Sequence, residues 1–145
     1  MLAVTKEFTF DCAHMLSGHR GLCKNVHGHT YKMHVTVVRT DDDTDYEGLV
    51  IDFKDLKKLV NDEIINRFDH SFIAWVDGNK DEQTIAHVLD KLGMRIVYVD
   101  YRPTAENMAK DFFKHLNSIL NRGPYEVISI KVWETPTSYA EYRGE

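Results

Sequence analysis

The chain has 145 residues, 43% apolar and 28% charged, a composition that suits one globular domain with a real core. A formal net charge of −5 argues against a surface built for nucleic acid or anionic membranes, though not against a small phosphorylated ligand. The two cysteines, Cys12 and Cys23, are too few for a disulfide framework. No apolar run approaches the ~20 residues of a membrane span, and the N-terminal MLAVTKEFTF lacks the order of a signal peptide. The expectation is a cytoplasmic protein with reduced thiols, a single domain over 1–145 without repeats or low-complexity tracts.

Residues 4–13 alternate as a strand, with Phe8, Phe10 and Cys12 on one side, Thr9 and Asp11 on the other, and His14 continuing the Phe8 side. HGHTYKMHVTVVR alternates again: His27, His29, Tyr31, Met33, Val35 and Val37 share one face, while Thr30, Lys32, His34 and Thr36 take the other. RTDDDTDYEG reads as a solvated acidic turn leading into YEGLVIDF, an antiparallel partner strand. Asp52 caps a helix over 53–68 whose buried stripe is Phe53, Leu56, Val60, Ile64 and Phe68. EQTIAHVLDKLG is a shorter helix ending at Gly93, followed by the apolar strand RIVYVDY. Thr104 caps a second long helix, striped by Met108, Phe112, Leu116 and Ile119 and ended by Gly123. EVISIKVWET is a long strand and YAEYRGE a short tail strand. Hairpin-paired strands with helices segregated to one face indicate an α+β fold.

The chemistry concentrates in CKNVHGHTY, residues 23–31. Two strand residues two apart leave the same face about 6.5 Å apart, so His27 and His29 can converge on one cation at roughly 2.0–2.1 Å each. Gly28 between them would allow another backbone to approach closely. If the first two strands pair, His14 supplies a third nitrogen, and three neutral nitrogens with one open position match a catalytic zinc site. The plainer alternative is a polar strand whose rings satisfy core hydrogen bonds. His34 is excluded by parity, and His19, His87 and His115 have no partners at useful spacing. Cys23 has two opposed readings at this point. As a fourth ligand it would close a structural site; off the metal it is a thiol base whose pKa the cation lowers.

Outside that stretch, FDHSF sets Asp69 beside His70 directly after the first long helix; they can work as a pair only if a turn brings both round. Glu106 falls in the first turn of the second long helix, where the helix dipole favours a carboxylate. Glu134 ends a strand, a place for a ligand-facing carboxylate and equally for a solvated one.

Together FTFDCAH, CKNVHGHTY, GLVIDFKDLK, FDH, PTAENMA, WET and the terminal YRGE resemble the 6-pyruvoyl-tetrahydropterin synthase superfamily, in order and over nearly the whole chain. The resemblance implies the tunnelling fold: a four-stranded antiparallel sheet with two helices packed on one face, trimers closing into barrels and two trimers stacking as a homohexamer. It implies Zn2+ on His14, His27 and His29, with Cys23 as a catalytic proton acceptor and Asp69 and His70 as its relay partners. Glu134 would anchor the pterin and support the relay, and Thr104 and Glu106 would line the substrate pocket. The three residues between Cys23 and His27-Gly28-His29 are similar to the bacterial branch that makes 6-carboxy-5,6,7,8-tetrahydropterin for queuosine. The implied reaction converts 7,8-dihydroneopterin triphosphate to that product, acetaldehyde and triphosphate. The pyruvoyl-forming lyase of biopterin synthesis is the nearest alternative, and a non-catalytic zinc-stabilised oligomer is the alternative of another class. The chain departs from the compact pattern in one place, an inserted helix-strand segment over 77–101 that lengthens the path from His70 to Pro103.

Overall fold

Alternation in the first strand and in the one that follows it governs the architecture. The computed structural model describes residues 1–41 and 48–145. Strands β1 (Ala3–His14) and β2 (His27–Arg39) form a long antiparallel pair, joined through a 3-10 turn, Leu22–Lys24. Helix α1 (Phe53–Val60) runs through a π-helical turn, Asn61–Ile65, into the short α2 (Asn66–Phe68). Then come β3 (Ser71–Trp75), α3 (Lys80–Lys91), β4 (Ile96–Val99), α4 (Ala105–Leu120), β5 (Tyr125–Thr135) and β6 (Ser138–Tyr142). No helix among the described residues is long and apolar enough to cross a membrane.

The fold is α+β, but the sheet has six strands, in the order β4-β3-β1-β2-β5-β6, where four antiparallel strands were expected. The extra width comes from both edges. β6 pairs antiparallel with β5, and β3 and β4 extend the β1 edge in parallel. β3–α3–β4 is a crossover unit, the usual way to join two parallel strands. Nothing in SFIAW alternates, because Ser71 to Ala74 are buried on both faces of the sheet, so a period-two search passes over it.

Helices also occupy both faces. Ile73 of β3 joins the main core with Phe10, Tyr31, Met33, Leu56, Phe68, Phe112 and Ile130, beneath α1 and α4. Its neighbours Phe72 and Ala74 point the other way, into a second small core with Met15 and Ala86 of α3. The inserted helix therefore packs opposite the expected pair.

Capping follows the sequence closely. Asp52 accepts the Lys54 N–H at 2.8 Å and Thr104 accepts the Asn107 N–H at 3.2 Å. The strand expected over 46–53 is not formed in its described part. Val50 and Ile51, adjacent in sequence, both tuck into the core and lie in a bend instead of a strand, after a left-handed Gly48. Most of the acidic turn expected over 39–48 lies outside the described residues.

Candidate metal centre and its surroundings

The β1–β2 register puts His14 directly opposite His27, and Cys12 opposite His29. Shared parity then turns all three imidazoles to the core face at the open end of the pair. One nitrogen from each ring lies within 4.8 Å of the other two, and no other Cys, His, Asp or Glu among the described residues joins the group. His14 is 1% exposed, while His27 and His29 are half-buried.

Backbone carbonyls fix two of the tautomers. Nδ1 of His14 lies 2.7 Å from the Pro103 carbonyl, and Nδ1 of His27 lies 2.7 Å from that of Asn25. A carbonyl only accepts, so both Nδ1 atoms carry the hydrogen and both Nε2 atoms present lone pairs. Those Nε2 atoms face each other at 3.1 Å, and the His29 Nε2 is buried without a hydrogen-bond partner. Converging lone pairs beside an orphaned ring nitrogen are unfavourable for the protein alone and suit a bound cation. Burial, with the neighbouring His27 and His29, pushes His14 down to about 4 against the pull of the Pro103 carbonyl. Burial and then His27 lower His29 as well, which favours the neutral, ligating form of His14 and His29. Three histidines that could hold a metal ion are thus in place. A Cβ placed on Gly28 would meet only the Cys12 carbonyl oxygen, at 3.4 Å, an ordinary contact, so no backbone crowds this glycine within the chain.

Glu134 approaches from β5. Burial raises its pKa, with the Glu106 carboxylate adding to the rise; His27 and the Ala105 N–H at the start of α4 oppose it. Glu106 and Glu134 line one cleft of about 300 Å³ with Tyr139. Thr104 sits beside them as the α4 cap and follows Pro103, whose carbonyl holds His14.

Asp69 and His70 meet because the turn after α2 forces His70 into the left-handed region, φ 60°. Asp69 Oδ1 accepts the Asp11 N–H at 2.9 Å and lies 3.1 Å from His70 Nδ1. The Asp11 N–H, and then His70, hold the Asp69 carboxyl below its ordinary value. His70 is 74% exposed and shares with His29 a cleft of about 640 Å³, lined also by Asp11 and Arg95. Within one chain the structure therefore makes two groupings, histidines with glutamates and Asp69 with His70, and His29 and His70 bring both to that cleft's lining.

Cys23 stands apart on the 3-10 turn, half-buried, its carbonyl accepting the Leu16 N–H at 2.9 Å. Cys12 is a buried core residue whose thiol is pushed up by burial. Sequence reasoning missed three contributors. Pro103 and Asn25 act through backbone carbonyls, which no residue type advertises. Asp11, which also accepts from Thr30 Oγ1 at 2.5 Å, gave only a polar position in a strand as its signal.

Residues 3–145 match the family model described as 6-pyruvoyl tetrahydropterin synthase. The chain belongs to that family. A Haemophilus influenzae protein named 6-carboxy-5,6,7,8-tetrahydropterin synthase is 42% identical over 147 aligned positions, covering 99% of each chain. Among solved structures, an uncharacterised protein of Wolinella succinogenes superposes with a TM-score of 0.79 at 23% identity, covering 99% of this chain and 98% of that one. The Caenorhabditis elegans 6-pyruvoyl tetrahydropterin synthase does so with a TM-score of 0.68 at 23% identity, covering 99% and 96%. These likenesses show that this family member shares their fold.

Proposed function

We propose that this family member is a zinc-dependent 6-carboxy-5,6,7,8-tetrahydropterin synthase, a lyase. It would take 7,8-dihydroneopterin triphosphate and water to 6-carboxytetrahydropterin, acetaldehyde and triphosphate. The observation that carries the reading is the trio of converging imidazole nitrogens, in a chain whose Haemophilus influenzae relative bears that name over its full length.

His14, His27 and His29 would hold Zn2+, oriented by the Pro103 and Asn25 carbonyls. Bound there, zinc supplies Lewis-acid stabilisation of negative charge on a substrate hydroxyl oxygen. Cys23, off the histidine group, takes a proton from the hydroxyl-bearing carbon as its thiolate. His70, held by Asp69, returns a proton to the ring or side chain. Glu134 and Glu106 grip the donor edge of the pterin, and Thr104 shapes the pocket at the start of α4. Holding the reacting carbons within reach accounts for several of the ~7–11 kcal/mol that positioning can supply.

The same reading makes 1–145 one catalytic domain of a cytoplasmic enzyme in queuosine biosynthesis. It assembles as a homohexamer, a dimer of trimers, whose barrels use the open edges at β4 and β6. Light scattering of purified protein should give six chains per particle; a monodisperse monomer would contradict the assembly. For the reaction, mass spectrometry of the product from dihydroneopterin triphosphate is decisive. The carboxy product with one acetaldehyde per turnover supports the proposal. A pyruvoyl product with no acetaldehyde overturns it in favour of the pyruvoyl-forming lyase.

A further inference from the structure

The inserted segment carries a carboxylate that no surface helix requires. Glu82, in the first turn of α3, is 0% exposed. Asn79 caps this helix by accepting the Glu82 N–H at 3.0 Å, which is half of a capping box. In a closed box the glutamate would reach back to the cap's own N–H. Here the return arm is routed through a residue 62 positions away. The Asn79 N–H donates to Ser17 Oγ at 3.2 Å, and Ser17 Oγ donates to Glu82 Oε1 at 2.5 Å. The second oxygen, Oε2, accepts the Trp75 N–H at 2.6 Å at the end of β3. The turn is shaped around this carboxylate: a Cβ on Gly78 would fall 2.7 Å from Glu82 Cδ.

Ser17 belongs to the loop that carries Cys23. Its preceding residue, Leu16, donates its N–H to the Cys23 carbonyl at 2.9 Å, closing that loop. Ser17's own carbonyl accepts from Arg102 Nη2 at 3.1 Å, one residue before the Pro103 carbonyl that orients His14. The Glu82–Ser17 link thus ties the insertion to the loop that presents Cys23 and to the strut behind His14.

We propose that Glu82 is a positioning residue. Through Ser17 it holds the 15–26 loop so that Cys23 is presented to the reacting carbon, which makes the 77–101 insertion part of the catalytic apparatus. This rests on the reading of Cys23 as the proton acceptor. Glu82 touches no reacting atom; its contribution is to confine a loop, and a displacement near 1 Å can cost on the order of 10²-fold in rate.

The test uses the full-length, zinc-loaded protein. Ser17→Ala cuts the link while leaving the Glu82–Trp75 bond and α3 intact. It should lower kcat ~10- to 100-fold with KM within ~3-fold and zinc stoichiometry unchanged. Amide hydrogen exchange in the peptide spanning 16–25 should accelerate severalfold at the same time. Glu82→Ala should behave likewise. Glu82→Gln, which can accept from Trp75 with its oxygen and donate to Ser17 Oγ with its nitrogen, should restore kcat to within ~3-fold of the parent. Unchanged exchange in Ser17→Ala overturns the link, and faster exchange with unchanged kcat overturns its role in turnover. Cys23→Ala measured alongside separates the underlying reading: if that variant retains full turnover, Cys23 is not the base, whatever the loop does.

Discussion

The histidine trio and the Asp69–His70 pair occupy neighbouring ends of the same sheet and are held by opposite means. His14 is buried, tied to a backbone carbonyl and ringed by Tyr31, His27 and His29. Its geometry is imposed by strand register and packing. His70 is 74% exposed and held by a left-handed backbone and one carboxylate. A metal site needs several donors fixed at once, which the packed end of the β1–β2 pair provides. A proton donor must meet a substrate that comes and goes, and an exposed turn residue with one orienting partner suits that task.

Breaking the packed side should have the larger effect. His27→Ala removes a donor without excavating the core, and should lose both metal and turnover, the latter roughly 10²- to 10³-fold or more. Elemental analysis and the product assay read the two together; full activity without bound metal would remove the trio from the chemistry. On the exposed side, Asp69→Asn keeps the shape but loses the charge that orients His70. There kcat should fall about 10- to 100-fold while zinc stays bound. Chelator-resistant zinc measured beside kcat checks it, and loss of metal in this variant would erase the distinction between the two regions.

A finer comparison uses the strained turn itself. His70→Gly and His70→Ala both remove the imidazole and should be equally slow. The glycine variant should be more stable by about 1 kcal/mol, because a Cβ at φ 60° is disfavoured. Urea denaturation reads the difference, and equal midpoints would mean that the turn relaxes. The smallest effect concerns acid stability. Asp69 is held below its ordinary value of 3.8, so its contribution is complete above that pH. It fades as pH falls through the still lower folded value. Asp69→Asn should therefore flatten the stability profile below about pH 4 and leave the profile above pH 5 parallel to the parent. A parallel profile throughout would contradict the Asp11 and His70 contacts as the cause.

Period-two alternation made β1, β2 and the shared face of His14, His27 and His29 legible, because half-buried antiparallel strands print their orientation in every second residue. β3 was not legible, since it is covered on both faces and its neighbour β4 arrives from the far side of a crossover helix. The meeting of Asp69 with His70 was readable only as a condition. That His70 would adopt a left-handed backbone depends on its N–H reaching the Asp11 carbonyl at 2.6 Å, a contact made 59 residues back along the chain. Asn79 and Glu82 do carry the three-residue spacing of a capping box, yet the sequence offers no sign that Ser17 would stand between its halves.

Everything proposed for the site turns on the histidine trio alone binding the metal while Cys23 stands off it as the base. Zinc stoichiometry in Cys23→Ala separates the two roles. One zinc per chain is expected, as in the parent protein, with folded structure retained and turnover lost by roughly 10²- to 10⁴-fold. Loss of stoichiometric zinc from that variant would make Cys23 a ligand and contradict its role as the base.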